Sequence, residues 1–299
     1  MSSRLAHRWR RRWLCLRGYG ARVELGILFG LGSAVAFGSG DFTGGYATRR
    51  VNVATVAAVA HVVGLVLALG LLAITNPPMP SPGSLAIGAV AGSLGGIGLL
   101  ALYRGLSLGS MGIVAAISGV GSVGIPVLGS YALGRAPVSA GQWLGIALAI
   151  GAIAAASGAT RAGVRPVAIA LGVAAAIGFG LWFLLLDFAA EESETWALVA
   201  SRSASTVLLG ALALGRRQFG GLRAAWLIVI AAGALDVTGN ATFVVALGMV
   251  PVGVAAALSG LYPIVTMLLA RAVLGEMLPR LGLFAVVLAV LGIALISLG

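Results

Sequence analysis

Residues 53–75 read VATVAAVAHVVGLVLALGLLAIT, and residues 76–83 read NPPMPSPG. The first stretch is apolar almost throughout, and it is long enough to cross the hydrocarbon core of a bilayer, which takes a helix of about 20 residues. The second stretch cannot continue that helix, because its prolines remove backbone donors and clash with the preceding turn. Together they predict a membrane-spanning helix followed by a loop.

The same arrangement of apolar stretch and polar break recurs along the whole chain. Of the 299 residues, 60% are hydrophobic and 9% are charged, whereas soluble domains are about 25% charged. We therefore predict an all-α integral membrane protein with ten transmembrane helices. The predicted spans are 24–46, 53–75, 84–104, 110–133, 138–157, 166–187, 195–215, 224–247, 251–274 and 280–298.

The basic residues lie where membrane proteins carry flanking charges. All 19 are arginine, seven of them lie within residues 1–22, and most others follow the ends of apolar stretches. This distribution argues against a nucleic-acid partner, which would require a basic face. We predict that residues 1–22 form a basic tail, either disordered or interfacial. The absence of lysine, with abundant Ala, Gly and Val, indicates a GC-rich bacterial genome and a plasma-membrane location.

An internal repeat divides the chain into two halves. Moved forward by 141 positions, residues 91–158 align without a gap on residues 232–299, so that AAISG at 115–119 meets AALSG at 256–260. We predict two five-helix repeats, 23–160 and 161–299. Because five is odd, the second repeat enters the membrane in the opposite sense, an arrangement typical of transporters with a midplane site. A duplicated structural membrane protein is the alternative.

The arginines give two conflicting indications of orientation. The seven that precede the first span favour a cytoplasmic amino terminus, since basic flanks stay inside. The loop arginines then face outside, which favours the opposite orientation; they are Arg49, Arg50, Arg161, Arg165, Arg216, Arg217 and Arg223. We expect both termini to be cytoplasmic because the tail charge is concentrated beside the first span.

Four ionisable residues inside predicted spans are candidates for function, because each costs about 2.5–3.5 kcal/mol to insert. Asp236, with Asn240 one turn further, could bind an amine or cation or take up a proton. The alternative is a structural carboxylate held by Arg202 or by helix-end groups. Arg202 could itself bind a carboxylate substrate or reach the interface. Asp41 and His61 lie at similar depth and could form a carboxylate–imidazole pair, unless His61 is a packing residue.

Glycine, serine and proline mark further candidates. We expect Gly38-Ser39-Gly40 and Ser118-Gly119 to interrupt their spans beside polar groups. The segments 119–126 and 259–263 correspond across the repeat, and matched Gly/Pro interruptions indicate a transporter site or hinge. Ser118, Ser259 and Tyr262 are therefore predicted to bind substrate, together with the four charged residues and Asn240.

These segments resemble the EamA-like family of the drug/metabolite transporter superfamily. Leu258-Ser259-Gly260-Leu261-Tyr262-Pro263, followed by Leu274-Gly275-Glu276, is similar to that family's ninth-helix signature, and residues 38–45 resemble its first helix. The resemblance covers residues 23–299 and implies ten helices in inverted repeats around a central cavity, with export or uptake of small metabolites such as amino acids. The first copy departs from it, with Gly121-Ser122 where the second has Tyr262-Pro263.

Three functions fit this reading, and secondary transport is the leading hypothesis. Such a transporter would export small polar or amphipathic metabolites by alternating access, with or without proton coupling. A passive channel or facilitator is the second hypothesis, and a membrane enzyme or assembly factor is the third. Cys15 is the only cysteine and the sequence has no phosphate loop, so we predict no catalytic residues, cofactor or metal. The expected partners are the bilayer, a small-molecule substrate and, if coupled, protons, in a monomer or homodimer.

Overall fold

The computed structural model describes residues 3–109, 111–135, 137–158, 164–215, 219–247, 249–250 and 252–298. Within these ranges the chain is α-helical and contains no strand, which confirms the all-α prediction. The helices are α1 (Ser3–Ala47), α2 (Val53–Thr75), α3 (Pro82–Ser107), α4 (Met111–Ala132), α5 (Ala140–Gly158), α6 (Pro166–Ala190), α7 (Glu194–Gly215), α8 (Leu222–Leu247), α9 (Val252–Ser259), α10 (Tyr262–Leu274) and α11 (Arg280–Leu298).

Eight segments of the described chain are long and apolar enough to cross a membrane, so the protein is built for multiple crossings. They are α1 from Arg22, α2, α3, α4, α6, α7, α8 to Phe243, and α11. Two further apolar segments, Ala140–Ala156 in α5 and Tyr262–Leu274, are shorter. The count of ten spans therefore remains a prediction.

The described part of the basic tail is helical, because α1 begins at Ser3. Three of the loop arginines, Arg161, Arg216 and Arg217, lie outside the described residues.

Loop chemistry sets the boundary between α2 and α3. Asn76 takes the left-handed conformation, with φ of 39°, and its N–H donates to the Leu72 carbonyl at 2.8 Å. The Ser81 side chain then caps α3 by accepting from the Ser84 N–H, and Pro82 occupies the first turn, where it loses no helical hydrogen bond. The predicted end of the second span, at residue 75, is confirmed.

One predicted interruption occurs and two do not. α9 ends at Ser259 and α10 begins at Tyr262, so the ninth predicted span is broken where expected. By contrast, α1 runs unbroken through residues 38–40, and α4 runs through 118–119 with Pro126 inside the helix. The expectation of breaks there was wrong because a glycine costs a helix only about 1 kcal/mol. Both glycine segments pack closely on α10, whose Tyr262 approaches Gly38 and Gly119.

Helices from the two predicted halves are interleaved. α3 packs on α6, and α8 packs on α1. α4 likewise packs on α6, while α9 and α10 pack on α1, and α5 pairs with α11. Each helix in these pairs therefore finds a neighbour in the other half of the chain. Large side chains pack against glycines at some of these contacts, as Trp182 of α6 does at Gly95 of α3.

Close helix approach depends on glycines whose missing side chains leave room for backbone. At Gly92 in α3, an added Cβ would overlap the carbonyl of Ser201 in α7. At Gly178 in α6, it would lie 2.7 Å from the Cα of Gly98 in α3. Such small-residue contacts replace the hydrophobic effect, which does not drive helices together within lipid.

The contact at Gly92 gives a test of this packing. Gly92→Ala should lower the stability of the fold by about 1–3 kcal/mol, because α3 and α7 must separate. The melting temperature of the purified protein, followed by tryptophan fluorescence, measures the loss. Gly70→Ala is the matched control, since an added Cβ meets no atom within 4 Å there. Equal melting temperatures for the two variants would contradict this packing.

Candidate functional site

An ion pair between α7 and α8 lies at the centre of the candidate site. The Arg202 Nη2 is 3.0 Å from the Asp236 Oδ2, and these side chains are only 10% and 31% exposed. Asn240, one turn beyond Asp236 in α8, donates through Nδ2 to the Asp236 backbone carbonyl at 2.7 Å. The structure thus shows the pair that sequence reasoning offered as the alternative role of Asp236. It also brings Arg202, Asp236 and Asn240 together.

The guanidinium of Arg202 also lies against α2. A Cβ added at Gly64 would be 3.3 Å from the Arg202 Cδ, Nε and Cζ, so this glycine leaves the space that the side chain fills. His61, one turn before Gly64, places its Nδ1 2.7 Å from the Ser205 Oγ. Ser205 in turn donates to backbone carbonyls of its own helix. α2 therefore contributes both an imidazole and a gap to the site.

The predicted pairing of His61 with Asp41 does not form. His61 hydrogen-bonds Ser205, and no hydrogen bond or ion pair joins it to Asp41 within the described ranges. The reason is helix placement, because the His61 region of α2 faces α7 while Asp41 in α1 faces α8. At Gly40, next to Asp41, an added Cβ would be 3.4 Å from the Asp236 backbone nitrogen. Asp41 accordingly interacts electrostatically with Asp236.

A second polar group surrounds the break between α9 and α10. Ser33 Oγ lies 2.8 Å from Ser259 Oγ and donates to the Gly239 carbonyl at 2.9 Å. The Ser118 Oγ lies 3.1 Å from the Tyr262 hydroxyl. Thr266 donates to the Gly38 carbonyl at 3.1 Å. These bonds tie the broken helix to α1, α4 and α8, so the predicted residues Ser118, Ser259 and Tyr262 lie at helix crossings.

Sequence reasoning missed Tyr103, which lies beside the charged residues. Its side chain comes from α3 and is buried, with the ring packed directly on Gly44 of α1. It interacts electrostatically with Asp41, Asp236 and Arg202. Gly40 and Gly44 are four residues apart, a spacing that favours close helix contact, but this spacing does not identify the aromatic residue that fills the contact. Ser33 and Thr266 were also missed, since small hydroxyl residues are common helix-packing residues.

Glu276 joins the two halves at one end of the bundle. Its Oε2 accepts from the Met111 N–H at 3.1 Å, at the start of α4, while its Oε1 is buried without a hydrogen-bond partner. Burial raises the pKa of Glu276, and the Met111 hydrogen bond and the nearby Arg49 partly oppose this. The loop after α10 is thereby held against the first half.

A groove of about 790 Å³ lies between α3 and α7, but its lining includes no charged residue. In the part of the chain that the structure describes, no group of three or more His, Cys, Asp and Glu residues could hold a metal ion.

Interleaved apolar helices around a cluster of charged side chains define a polytopic membrane protein. The model of the EamA-like transporter family matches residues 24–158 and again residues 166–298. The chain belongs to this family, and thus to the drug/metabolite transporter superfamily, as its sequence resemblance indicated.

Comparison with solved structures agrees with this fold. One structure, described only as "Crystal structure of protein", has a TM-score of 0.62 and 18% sequence identity, and the match covers 91% of this chain and 96% of the other. At this identity the likeness shows the fold alone. No curated protein matches the chain.

The Arg202–Asp236 pair predicts an asymmetric response to mutation. Arg202→Met should destabilise the protein by about 3–5 kcal/mol, because it leaves the Asp236 carboxylate without its cation. The double variant Arg202→Met with Asp236→Leu should recover most of this loss. Melting temperatures in one detergent measure both effects. Arg135→Met is the control, since its partners Asp187 and Glu191 are exposed, and its effect should stay below about 1 kcal/mol.

Glu276 predicts a pH dependence with a definite sign. Burial raises the pKa of Glu276 in the folded protein, so its protonated side chain favours folding. The stability that Glu276 contributes is therefore fully present below its unfolded pKa of about 4.3. That contribution is lost as the pH rises through the folded pKa. Glu276→Gln should therefore raise the melting temperature at neutral pH and flatten its dependence on pH. The exposed Glu194→Gln should leave the dependence in place, and an unchanged slope in Glu276→Gln would rule out this origin.

Proposed function

We propose that this protein is a secondary transporter that exports small polar or amphipathic metabolites, such as amino acids, by alternating access. The observation that carries the proposal is the Arg202–Asp236 pair, with Asp41 and His61 close by, inside an apolar bundle. Charged groups are expensive within a membrane and mark substrate or ion pathways. Membership of the EamA-like transporter family supports transport rather than catalysis.

The interleaved packing supports two inverted five-helix repeats and ten crossings. If α6, α7 and α8 correspond to α1, α2 and α3, an inverted repeat should exchange partners between halves. The packing of α3 on α6 then corresponds to the packing of α8 on α1. The packing of α4 on α6 likewise corresponds to the packing of α9 and α10 on α1. All of these contacts occur. Transporters with this symmetry place their substrate at the repeat interface, where Asp236 lies near the middle of α8.

Departures from this symmetry support a change of shape during transport. α1 contacts α3 where Tyr103 packs on Gly44, whereas the corresponding α6 and α8 are not packed to a comparable extent in the described ranges. The break between Ser259 and Tyr262 also occurs in only one half, since α4 is continuous. Alternating access requires one side of the protein to be closed while the other side is looser. The broken helix is a suitable hinge for that change.

The cellular setting is part of the proposal. We infer a bacterial plasma membrane, with both termini on the cytoplasmic side and the substrate moving outward. Coupling to protons would involve the carboxylate of Asp236 or of Asp41. A passive facilitator would use the same polar interior without accumulating its substrate.

Transport by reconstituted protein tests this proposal. Proteoliposomes should take up one or more radiolabelled amino acids, and an imposed proton gradient should drive accumulation above equilibrium. Asp236→Asn should lower the rate at least about tenfold, because Arg202 loses its counter-charge within the membrane. The exposed Asp187→Asn is the matched control and should transport normally. Equilibration without accumulation would indicate a facilitator, and full activity of Asp236→Asn would remove Asp236 from the mechanism.

A further inference from the structure

The loop between α10 and α11 lies over the start of α4, so it joins the two halves of the chain at one end of the bundle. Directly after α10, the Glu276 Oε2 accepts from the Met111 N–H at 3.1 Å. Gly282, in the first turn of α11, packs on Ile113, whose Cδ1 would be 2.7 Å from an added Cβ. Ile113 is completely buried. The loop therefore covers the first turn of α4 and is attached there through Glu276.

The matching loop of the first half is attached by different chemistry. A shift of 141 positions, which aligns the repeats, places Arg135 on Glu276. The preceding glycines both take a positive φ, 69° at Gly134 and 65° at Gly275, so the two loops begin with the same turn. The Arg135 Nη2, however, donates to the Glu191 carboxylate at 2.7 Å. An arginine is not deprotonated in proteins, so of these two matched side chains only Glu276 can gain or lose a proton.

The two loops lie at opposite ends of the bundle. The start of α3 lies beside the end of α6, because the Ser81 N–H donates to the Glu192 carboxylate. The end of α3 lies beside the end of α1, because Thr48 donates to the Tyr103 carbonyl. The 26 residues of α3 separate these ends by about 39 Å. The first-half loop is attached at the α6 end, whereas Glu276 is attached at the α1 end, where α4 begins.

One oxygen of Glu276 is poorly accommodated as an anion. The Oε1 is buried and has no hydrogen-bond partner among the described residues, which is unfavourable for a charged oxygen. Burial raises the pKa of Glu276, and the Met111 hydrogen bond and the nearby Arg49 oppose this only in part. Within the described ranges Glu276 forms no ion pair, either with Arg49 or with the other arginines at this end, Arg50, Arg104, Arg223, Arg271 and Arg280.

We propose that Glu276 is a proton-operated latch for the α1 end of the bundle. When it is protonated, the carboxyl group keeps its buried position and holds the α10–α11 loop over Ile113. When it is deprotonated, the carboxylate moves into water and the loop lifts from α4. Because the attached state binds the proton more tightly than the released state, a rise in pH favours release. The Arg135 loop at the other end has no such switch, so pH acts on one end alone, whichever solute the protein carries.

Labelling of a thiol beneath the loop measures its release. The reporter is Ile113→Cys in a Cys15→Ser background, in the full-length protein in lipid nanodiscs, treated with a water-soluble maleimide. Adding Glu276→Gln to this background removes the carboxyl charge and leaves the titration of the thiol itself unchanged. The labelling rate with Glu276, divided by the rate with Glu276→Gln, should therefore rise at least about threefold from about pH 4.5 to about pH 8. A ratio that does not change with pH overturns the proposal.

Two further variants separate the latch from general loosening. Glu276→Ala leaves no oxygen for the Met111 N–H, so it should label rapidly at every pH; labelling as slow as that of Glu276→Gln would contradict the latch. Arg135→Gln, at the matching position of the first half, should keep the full pH dependence. Its loss in Arg135→Gln would show that the response does not belong to Glu276 alone and would also contradict the proposal.

Hydrogen–deuterium exchange provides a second measurement that needs no reporter, in case Ile113→Cys does not fold. In the otherwise unaltered protein, the backbone amides of residues 111–116 should exchange faster at high pH than in Glu276→Gln, after correction for the intrinsic rate. Equal exchange in the two proteins across the pH range overturns the latch. Neither measurement requires transport, so an inactive protein in proteoliposomes would remove the transport function and leave the latch standing.

Discussion

The close approach of helix backbones at glycine is the constraint on which the rest of this structure depends. In lipid, the hydrophobic effect does not hold helices together, so van der Waals contact between backbones must do so. Gly92 admits the Ser201 backbone, and Gly178 lies against Gly98. Because these contacts join α3 to α7 and to α6, they hold the two halves of the chain together. A side chain at Gly92 would push α3 away from α7, the helix that carries Arg202.

Close approach at two other glycines determines which polar groups meet. Gly64 makes room for the Arg202 guanidinium, and Gly40 brings α1 against α8 at Asp236. The ion pair, the imidazole of His61 and the carboxylate of Asp41 thus come from four helices that no short stretch of sequence unites. Within a membrane such an arrangement is costly unless most charges are paired. Its presence is the strongest physical argument that this interior handles a polar solute.

Hydrogen bonds around Ser259 and Tyr262 hold the broken helix in place. Ser33, Ser118 and Gly38 hold its two pieces against α1 and α4. Each bond is made by a hydroxyl group, and hydroxyl hydrogen bonds contribute only about 0.5–1.5 kcal/mol net. Bonds this weak can exchange, as the proposed transport cycle requires. A strong ion pair at the centre and weak hydroxyl bonds at the break suit a protein that keeps its site while its ends rearrange.

Much of the fold could be read from the sequence, because hydrophobic length and proline placement act locally. The helices, the end of α2 at residue 75 and the break after Ser259 all follow from neighbouring residues. Asp236, Arg202, Asp41 and His61 stood out because charge is rare in apolar stretches. Their partners did not: His61 bonds Ser205, Asp41 faces Asp236, and Tyr103 was overlooked. Sequence thus determined which helices form and which residues are chemically exceptional, whereas tertiary structure decided which of them meet. The physical reason is that a side chain's partner depends on the rotation and spacing of neighbouring helices, which contacts between distant glycines set.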